Sequence, residues 1–308
     1  MTMNKPRIPF LGSRVAASAK NAQAALFGAP HGTPYKGIDN RPYEQAPGIL
    51  RKALKNDAAF LDSWDFDFGG PLLGRNGQYR LVDLGDLETQ SKQGAKNRKT
   101  IEACTRGILA QSAVPIMIGG DDSTPIPFIQ AFSDHGPLTI LQIDAHIDWR
   151  QERYGEPLGF SSTMRRASEM SHVGKIIQVG MRGMGSAREQ EVRDAEAWGA
   201  KLITAATIHE KGIAAALTHI KAGSPLLITL DCDGLDWSIM PAVAYPSTGG
   251  LTHTQVTRLI QGAIAKARLA GFDLIEFVPK NDRDGIGAFT AARIICNVIG
   301  SLANRKAG

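Results

Sequence analysis

Two short stretches concentrate side chains that could do chemistry. Asp144, His146 and Asp148 form a D-x-H-x-D run, and Asp231, Asp233 and Asp236 a D-x-D-x-x-D run. In each, the first two members lie two residues apart, so on extended backbone they project from one side. Asp121 and Asp122, directly after Gly119 and Gly120, and Glu276 add further acids. Carboxylates gathered in one dry cleft repel one another and cannot all ionise without compensation, so the pattern calls for a cation. Oxygen ligands with a single imidazole suit Mn²⁺, Fe²⁺, Co²⁺ or Ni²⁺ better than Mg²⁺. Two such ions bridged by carboxylates would lower the pKa of a shared water toward neutrality and so provide a nucleophile. A lone Asp after a strand is more often a helix N-cap, and that plainer role is open to Asp121 and Asp236.

The acids follow short apolar runs, at 114–118, 138–143 and 226–230, while Glu276 falls inside a fourth run at 274–277. With similar runs at 176–179 and 201–203, these read as strands of a parallel sheet, nearly all apolar because both faces are covered. Residues 24–27 supply an earlier strand, followed by a long loop over 30–47. Helical patterns lie between the runs. The clearest starts at Thr252, where Thr252 and Gln255 have capping-box spacing. Val256, Leu259, Ile260, Ala263, Ile264 and Ala267 then make one apolar stripe ending before Gly271. Strand-helix alternation of this kind predicts a doubly wound α/β sheet, with the site beyond the carboxyl ends of its strands.

The net charge of +5 is concentrated at one end. Lys5, Arg7, Arg14, Lys20 and Lys36 precede the first acid, Asp39, and the remaining 30 basic residues match 30 acidic ones. Residues 1–23 therefore read as a basic arm, disordered or docked on a neighbouring subunit, and 24–308 as a single α/β domain. A body with no net charge offers no global field for nucleic acid. The longest uncharged stretches, 107–120 and 237–257, are broken by Pro, Gly and polar residues, so no membrane span is expected. Cys104, Cys232 and Cys296 are too scattered for a disulfide framework or zinc ribbon, and alternation points Cys232 into the core. A cytoplasmic location is expected. No G-x-G-x-x-G or P-loop follows any strand, which argues against a nucleotide-binding protein.

These motifs resemble those of the ureohydrolases, the arginase and agmatinase superfamily. Gly119 to Ser123 (GGDDS) is similar to the family's GGDHS, Asp144 to Asp148 to its DAHxD, and Asp231 to Asp236 to its SxDxDxxD. Glu276, Pro279 and Asp282 resemble its ExxPxxD segment, and residues 27–35 and 47–51 its opening loop and GPxxIR-like element. The resemblance spans roughly 24–300. It implies a three-layer α/β/α fold with a central, mainly parallel sheet and two divalent ions, Mn²⁺ or Ni²⁺. The implied ligands are Asp122, Asp144, His146, Asp148, Asp231 and Asp233, with Asp122 where the family has His and Asp231 bridging both ions. Asp148 is implied as proton donor to the leaving amine, and Glu276 as partner of a substrate guanidinium. Ser161 and Ser162 lie in a substrate-contacting segment that here lacks the family's His. Arg165, Arg166 and Arg182 are expected in salt bridges or subunit contacts. Loops 30–43 and 161–166 would set the substrate.

The implied activity is hydrolysis of a C–N bond in a small cationic guanidino compound. Agmatine is the default, with guanidine or a biguanide such as metformin as a rival. The resemblance also implies trimers or hexamers. A different class of function, a non-catalytic subunit assembled with an active paralogue, is motivated by Asp122, by Trp237 in place of Pro and by the missing His.

Overall fold

Apolar runs covered on both faces form one ten-stranded sheet in this computed structural model, which describes residues 3–305. The strands are β1 (Met3–Asn4), β2 (Arg14–Val15), β3 (Ala24–Ala29), β4 (Leu81–Leu87), β5 (Val114–Gly119), β6 (Leu138–Ile143), β7 (Val173–Met181), β8 (Lys201–Thr204), β9 (Pro225–Asp231) and β10 (Arg268–Ile275). Their spatial order is β1-β4-β3-β5-β10-β9-β6-β7-β8, with β2 also against β4. Among the described strands only the β1–β4 pairing is antiparallel.

The helices are α1 (Ala46–Ala53), α2 (Gly94–Leu109), α3 (Pro125–Gln130), α4 (Thr163–Ser168), α5 (Glu189–Trp198), α6 (Ala205–Lys211), α7 (Ala214–Leu217), α8 (His253–Lys266) and α9 (Ile286–Ala303). Because strand side chains alternate, the two faces of the sheet feed separate cores. Ile116 and Ile118 of β5 pack with Leu50 of α1, Leu259 of α8 and Ile295 of α9 on one side. Met117, between them, packs with Ile101 of α2, Phe128 of α3 and Met164 of α4 on the other. The result is the three-layer α/β/α arrangement that the strand-helix alternation and the family resemblance predict. α9 has a mean hydropathy of 1.6, and 67% of it is buried inside the fold, which accounts for its composition.

Two elements differ from the sequence reading. The α8 stripe was read as including Ala267, but the helix stops one residue earlier, at Lys266, and Ala267 is extended. Residues 268–275 pair instead with β9 on one side and β5 on the other, because ladder bonds to two neighbours outweigh local helical pattern. β10 therefore begins earlier than 274, and Glu276 lies just beyond its end. β4 was not read as a strand because Asp83 and Asp86 interrupt its apolar sequence. Both are held by the buried Arg51: Nε and Nη2 donate to Asp83 at 2.8 and 3.0 Å, and Nη1 to Asp86 at 2.6 Å.

The described part of the basic arm lies on the chain's own sheet. β1 and β2 pair with β4, Phe10 is buried, and its N–H donates to Asp83 Oδ2 at 3.0 Å. Gly85 makes this close approach possible. Its φ is +89°, and a Cβ there would lie 2.2 Å from the Asn4 carbonyl oxygen.

The cap of α8 forms as its spacing predicts. Thr252 Oγ1 accepts from Gln255 N at 3.2 Å, and Gln255 Oε1 accepts from Thr252 N at 3.0 Å. Thr252→Ala should therefore cost about 1 kcal/mol of stability. Urea denaturation is the check, and an unchanged midpoint would show that the cap contributes nothing.

Candidate metal centre

The sequence-predicted acids converge where β5, β6, β9 and β10 end, in the middle of the sheet. Asp231 is the last residue of β9, and a single 3-10 turn, Cys232–Gly234, follows it. Gly234 presses that turn against the end of β6; a Cβ there would lie 2.8 Å from Asp144 N. The contact brings Asp233 beside the other motif. Its Oδ1 accepts from Ala145 N at 3.1 Å, and its Oδ2 lies 3.1 Å from His146 Nδ1. Asp144 Oδ1 accepts from His146 N at 2.6 Å and lies 3.4 Å from His146 Nδ1.

Two groups that could each hold an ion result, with donor atoms within 4.8 Å of one another: Asp144, His146 and Asp233, and Asp122, Asp144 and Asp148. Asp144 belongs to both. The resemblance implied that Asp231 would hold the shared position. Asp231 lines the same cavity, but its Oδ1 accepts from Asp233 N at 2.8 Å, and it falls in neither group. Cys232 is buried in the apolar core as expected, although it opens a 3-10 turn and does not continue the strand.

Asp122 carries the clearest requirement for a cation. Both of its carboxylate oxygens are buried without a hydrogen-bond partner, a condition that costs several kcal/mol unless something supplies the missing contact (roughly, for a buried charged group). Burial first, and then the neighbouring carboxylates, push Asp122, Asp144 and Asp231 well above the usual carboxylate range. Burial also lifts Glu276 to about 8, helped by the charge of Asp121. His146 moves the other way from what burial alone would do, because Asp144 and Asp233 hold its proton up to about 12. The acids on that side therefore favour a positive charge at this position. A divalent ion would take over that role and require the neutral imidazole.

Several residues that sequence reasoning did not single out fix this geometry. Gln142 Nε2 donates to Asp144 Oδ2 at 2.7 Å and to Asp148 Oδ2 at 2.9 Å. Gln178 in turn donates to Gln142 Oε1 and, at 2.8 Å, to the Ile147 carbonyl. Arg182 was expected in salt bridges or subunit contacts. Its Nη2 instead donates to the carbonyls of Asp233 and Leu235 at 2.6 and 3.0 Å, pinning the turn that carries two of the acids. Tyr43 donates to Glu276 Oε2 at 2.5 Å, while Glu276 Oε1 accepts from Asp122 N at 2.8 Å. Asp148 and Glu276 both have positive φ, +47° and +61°, a conformation that non-glycine residues hold only where surroundings enforce it.

Other candidates take plainer roles. Asp121 closes its turn by accepting from Ser123 N at 3.1 Å, and Asp236 accepts from Ser238 N and Gly250 N at 3.0 and 2.9 Å. Asp282 accepts from Gly287 N and Ala288 N at the start of α9. Arg165 and Arg166 pair with Glu169. Ser161 lines the cavity and bonds to Tyr35 Oη at 2.7 Å. Ser162, expected beside it as a substrate contact, is fully buried outside the cavity wall, because it opens α4 and the helix turns its side chain inward.

Comparison with known proteins agrees with this geometry. The model of the Arginase family matches residues 22–300. The chain is 27% identical to the mitochondrial guanidino acid hydrolase of Homo sapiens over 94% of this chain and 80% of that protein. It is 28% identical to the agmatinase of Chromobacterium violaceum, covering 73% of this chain and 69% of that one. In fold it is similar to the formimidoylglutamase of Bacillus subtilis, with a TM-score of 0.83 over 100% of this chain and 96% of that chain at 22% identity. The match to the family along most of the chain, with groups that could hold metal ions assembled from three of its acidic motifs, establishes that this protein belongs to the Arginase family and is a metal-dependent amidinohydrolase.

Proposed function

We propose that the protein hydrolyses a C–N bond of a small guanidino compound at a pair of divalent ions, Mn²⁺ or Ni²⁺, releasing an amine or ammonia together with urea or a urea derivative. The observation that carries the reading is Asp122. A fully buried carboxyl group with two unpartnered oxygens, set against Asp144 and Asp148, supports a metal ligand at this position. The all-carboxylate group suits a hard ion, and the group containing His146 a slightly softer one. When bound, the ions supply a water of lowered pKa close to the substrate.

The chain's own residues supply the rest. Glu276, fixed by Tyr43 and by Asp122 N, faces the cavity with an acceptor for a guanidinium N–H. An arriving cation favours its ionised form, and the paired charge grows in value as the central carbon becomes tetrahedral. Gln142 holds Asp148 by Oδ2, which orients that carboxyl to carry a proton from the attacking water to the departing nitrogen. The water oxygen bonds to the guanidine carbon, the C–N bond breaks with its electron pair going to nitrogen, and the protonated amine leaves. Relatives named for guanidino acids, guanidinobutyrate and agmatine support this substrate class, and agmatine remains a candidate alongside guanidine and metformin. A non-catalytic subunit has no use for two ligand groups meeting at one acid, which weighs against that reading.

The test is release of urea or a urea derivative, together with the amine or ammonia, across a panel of these compounds with Mn²⁺ and Ni²⁺ supplied separately, combined with metal counting. About two ions per chain and turnover of at least one compound are expected; fewer than one ion after loading overturns the proposal. Asp122→His should raise preference for Ni²⁺ over Mn²⁺ by at least about tenfold, an effect that even outer-sphere changes can reach. An identical competition profile would remove Asp122 from the ligand set.

A further inference from the structure

The cavity above the acids, about 230 Å³ in volume, has a cationic wall that hydrolysis of a guanidinium does not itself require. Its buried acids, Asp122, Asp148, Asp231, Asp233 and Glu276, form the floor, whereas Arg150, Arg153 and Glu191 are partly exposed and stand nearer the solvent. The two arginines differ in what they meet. Arg150 Nε lies 3.6 Å from Glu191 Oε1. Arg153 has no carboxylate at ion-pair distance and no acceptor for its guanidinium N–H groups among the described residues. Its guanidinium instead stands over three aromatic rings, at 5.6 Å from the centroid of Tyr35, 5.1 Å from Tyr154 and 5.8 Å from Phe160.

Aromatic faces position a cation without cancelling its charge. Tyr35 is itself fixed through Ser161, and Phe160 and Ser161 line the cavity with Arg153. The wall therefore presents an oriented guanidinium fork with free donors, the geometry that binds a carboxylate in a two-point contact. A terminal ammonium at the same place would meet a like charge, and such juxtaposition discriminates strongly between partners.

We propose that Arg153 is a specificity-determining residue that binds a carboxylate at the far end of the substrate, so that the site takes a guanidino acid in preference to an amine-terminated guanidine. The inference rests on the reading above, in which the guanidinium end is held by Glu276. The substrate then spans the cavity as a zwitterion, its cation on the acidic floor and its anion on the arginine.

The experiment uses the full chain loaded with Mn²⁺ and the paired probes 3-guanidinopropionate, 4-guanidinobutyrate and agmatine, read by calorimetric binding and by kcat and KM for urea release. At least one guanidino acid should bind better than agmatine, and Arg153→Gln should weaken that acid by about tenfold to a hundredfold, chiefly in KM. Agmatine should be unaffected or improved, Arg153→Lys should restore part of the loss, and Arg153→Glu should invert the preference. Equal or tighter binding of agmatine to the unmodified protein overturns the proposal. So does an Arg153→Gln variant that weakens both probe types equally, which is what a merely structural role would give. The two readings fail separately. The binding preference without urea from any probe overturns hydrolysis and upholds Arg153, whereas brisk hydrolysis of agmatine indifferent to Arg153→Gln upholds hydrolysis and overturns Arg153.

Discussion

Asp144→Asn is expected to strip the centre of its metal and lower urea release by about a thousandfold or more, the loss of several kcal/mol of electrophilic assistance. Asp144 is the member common to both ligand groups, so one substitution weakens both positions. Asparagine keeps the size of the side chain and an oxygen for the His146 N–H, now accepted at 2.6 Å. The fold should survive, because burial and then Asp148 and Asp233 oppose ionisation of Asp144, and asparagine puts a neutral group of the same size there. The metal-free variant should melt no lower than the metal-free parent, while its metal content falls. Elemental analysis beside thermal denaturation checks both parts, and two ions retained per chain would show that Asp144 is not the shared ligand.

Glu276→Gln separates substrate orientation from metal binding. Glu276 belongs to neither ligand group, and Gln can keep its contacts with Tyr43 and Asp122 N by presenting its oxygen to one and its amide to the rotatable hydroxyl. Metal content should be unchanged and kcat/KM for guanidino substrates should fall by about a hundred- to a thousandfold. Near-normal turnover would remove its role.

Stability carries a second signature of Glu276. Burial and then Asp121 lift its carboxyl from an ordinary 4.5 to about 8 in the folded chain. Between those values the unfolded chain is ionised there while the folded one holds its proton, so the parent loses stability as pH rises through the window, and above it the deficit stays constant. The metal-free Gln variant should therefore gain on the parent across that range and hold its advantage at higher pH. A gain independent of pH would show that Glu276 titrates normally.

Most of the centre was legible because its acids come as local clusters. Asp144 with His146, and Asp231 with Asp233, are two residues apart at the ends of apolar runs, although a 3-10 turn at Cys232–Gly234, and not strand alternation, carries Asp233 to His146. The supports were not legible, because their partners are remote in sequence. Tyr43 meets Glu276 across 233 positions and Gln178 meets Gln142 across 36, and neither Tyr nor Gln in an ordinary context signals such a role. Arg182 carries charge but spends its donors on carbonyls, which leave no trace in a sequence. In the fold, the capping box announced α8, but nothing local marked where it yields to β10. The acids of β4 hid a strand whose charges are answered by Arg51, some thirty positions upstream.

The rims of the sheet bear on how copies of this chain can meet. One rim is β8, four residues long and opening on the exposed Lys201. The opposite one is overlaid by the two-residue strands β1 and β2, which leave Gly85 between them. Brief, charged or overlaid borders are poor templates for strand addition. Self-association by continuing the ladder from copy to copy is thus disfavoured, and higher-order packing has to run through helix surfaces and loops, including those that carry the mouth of the cavity.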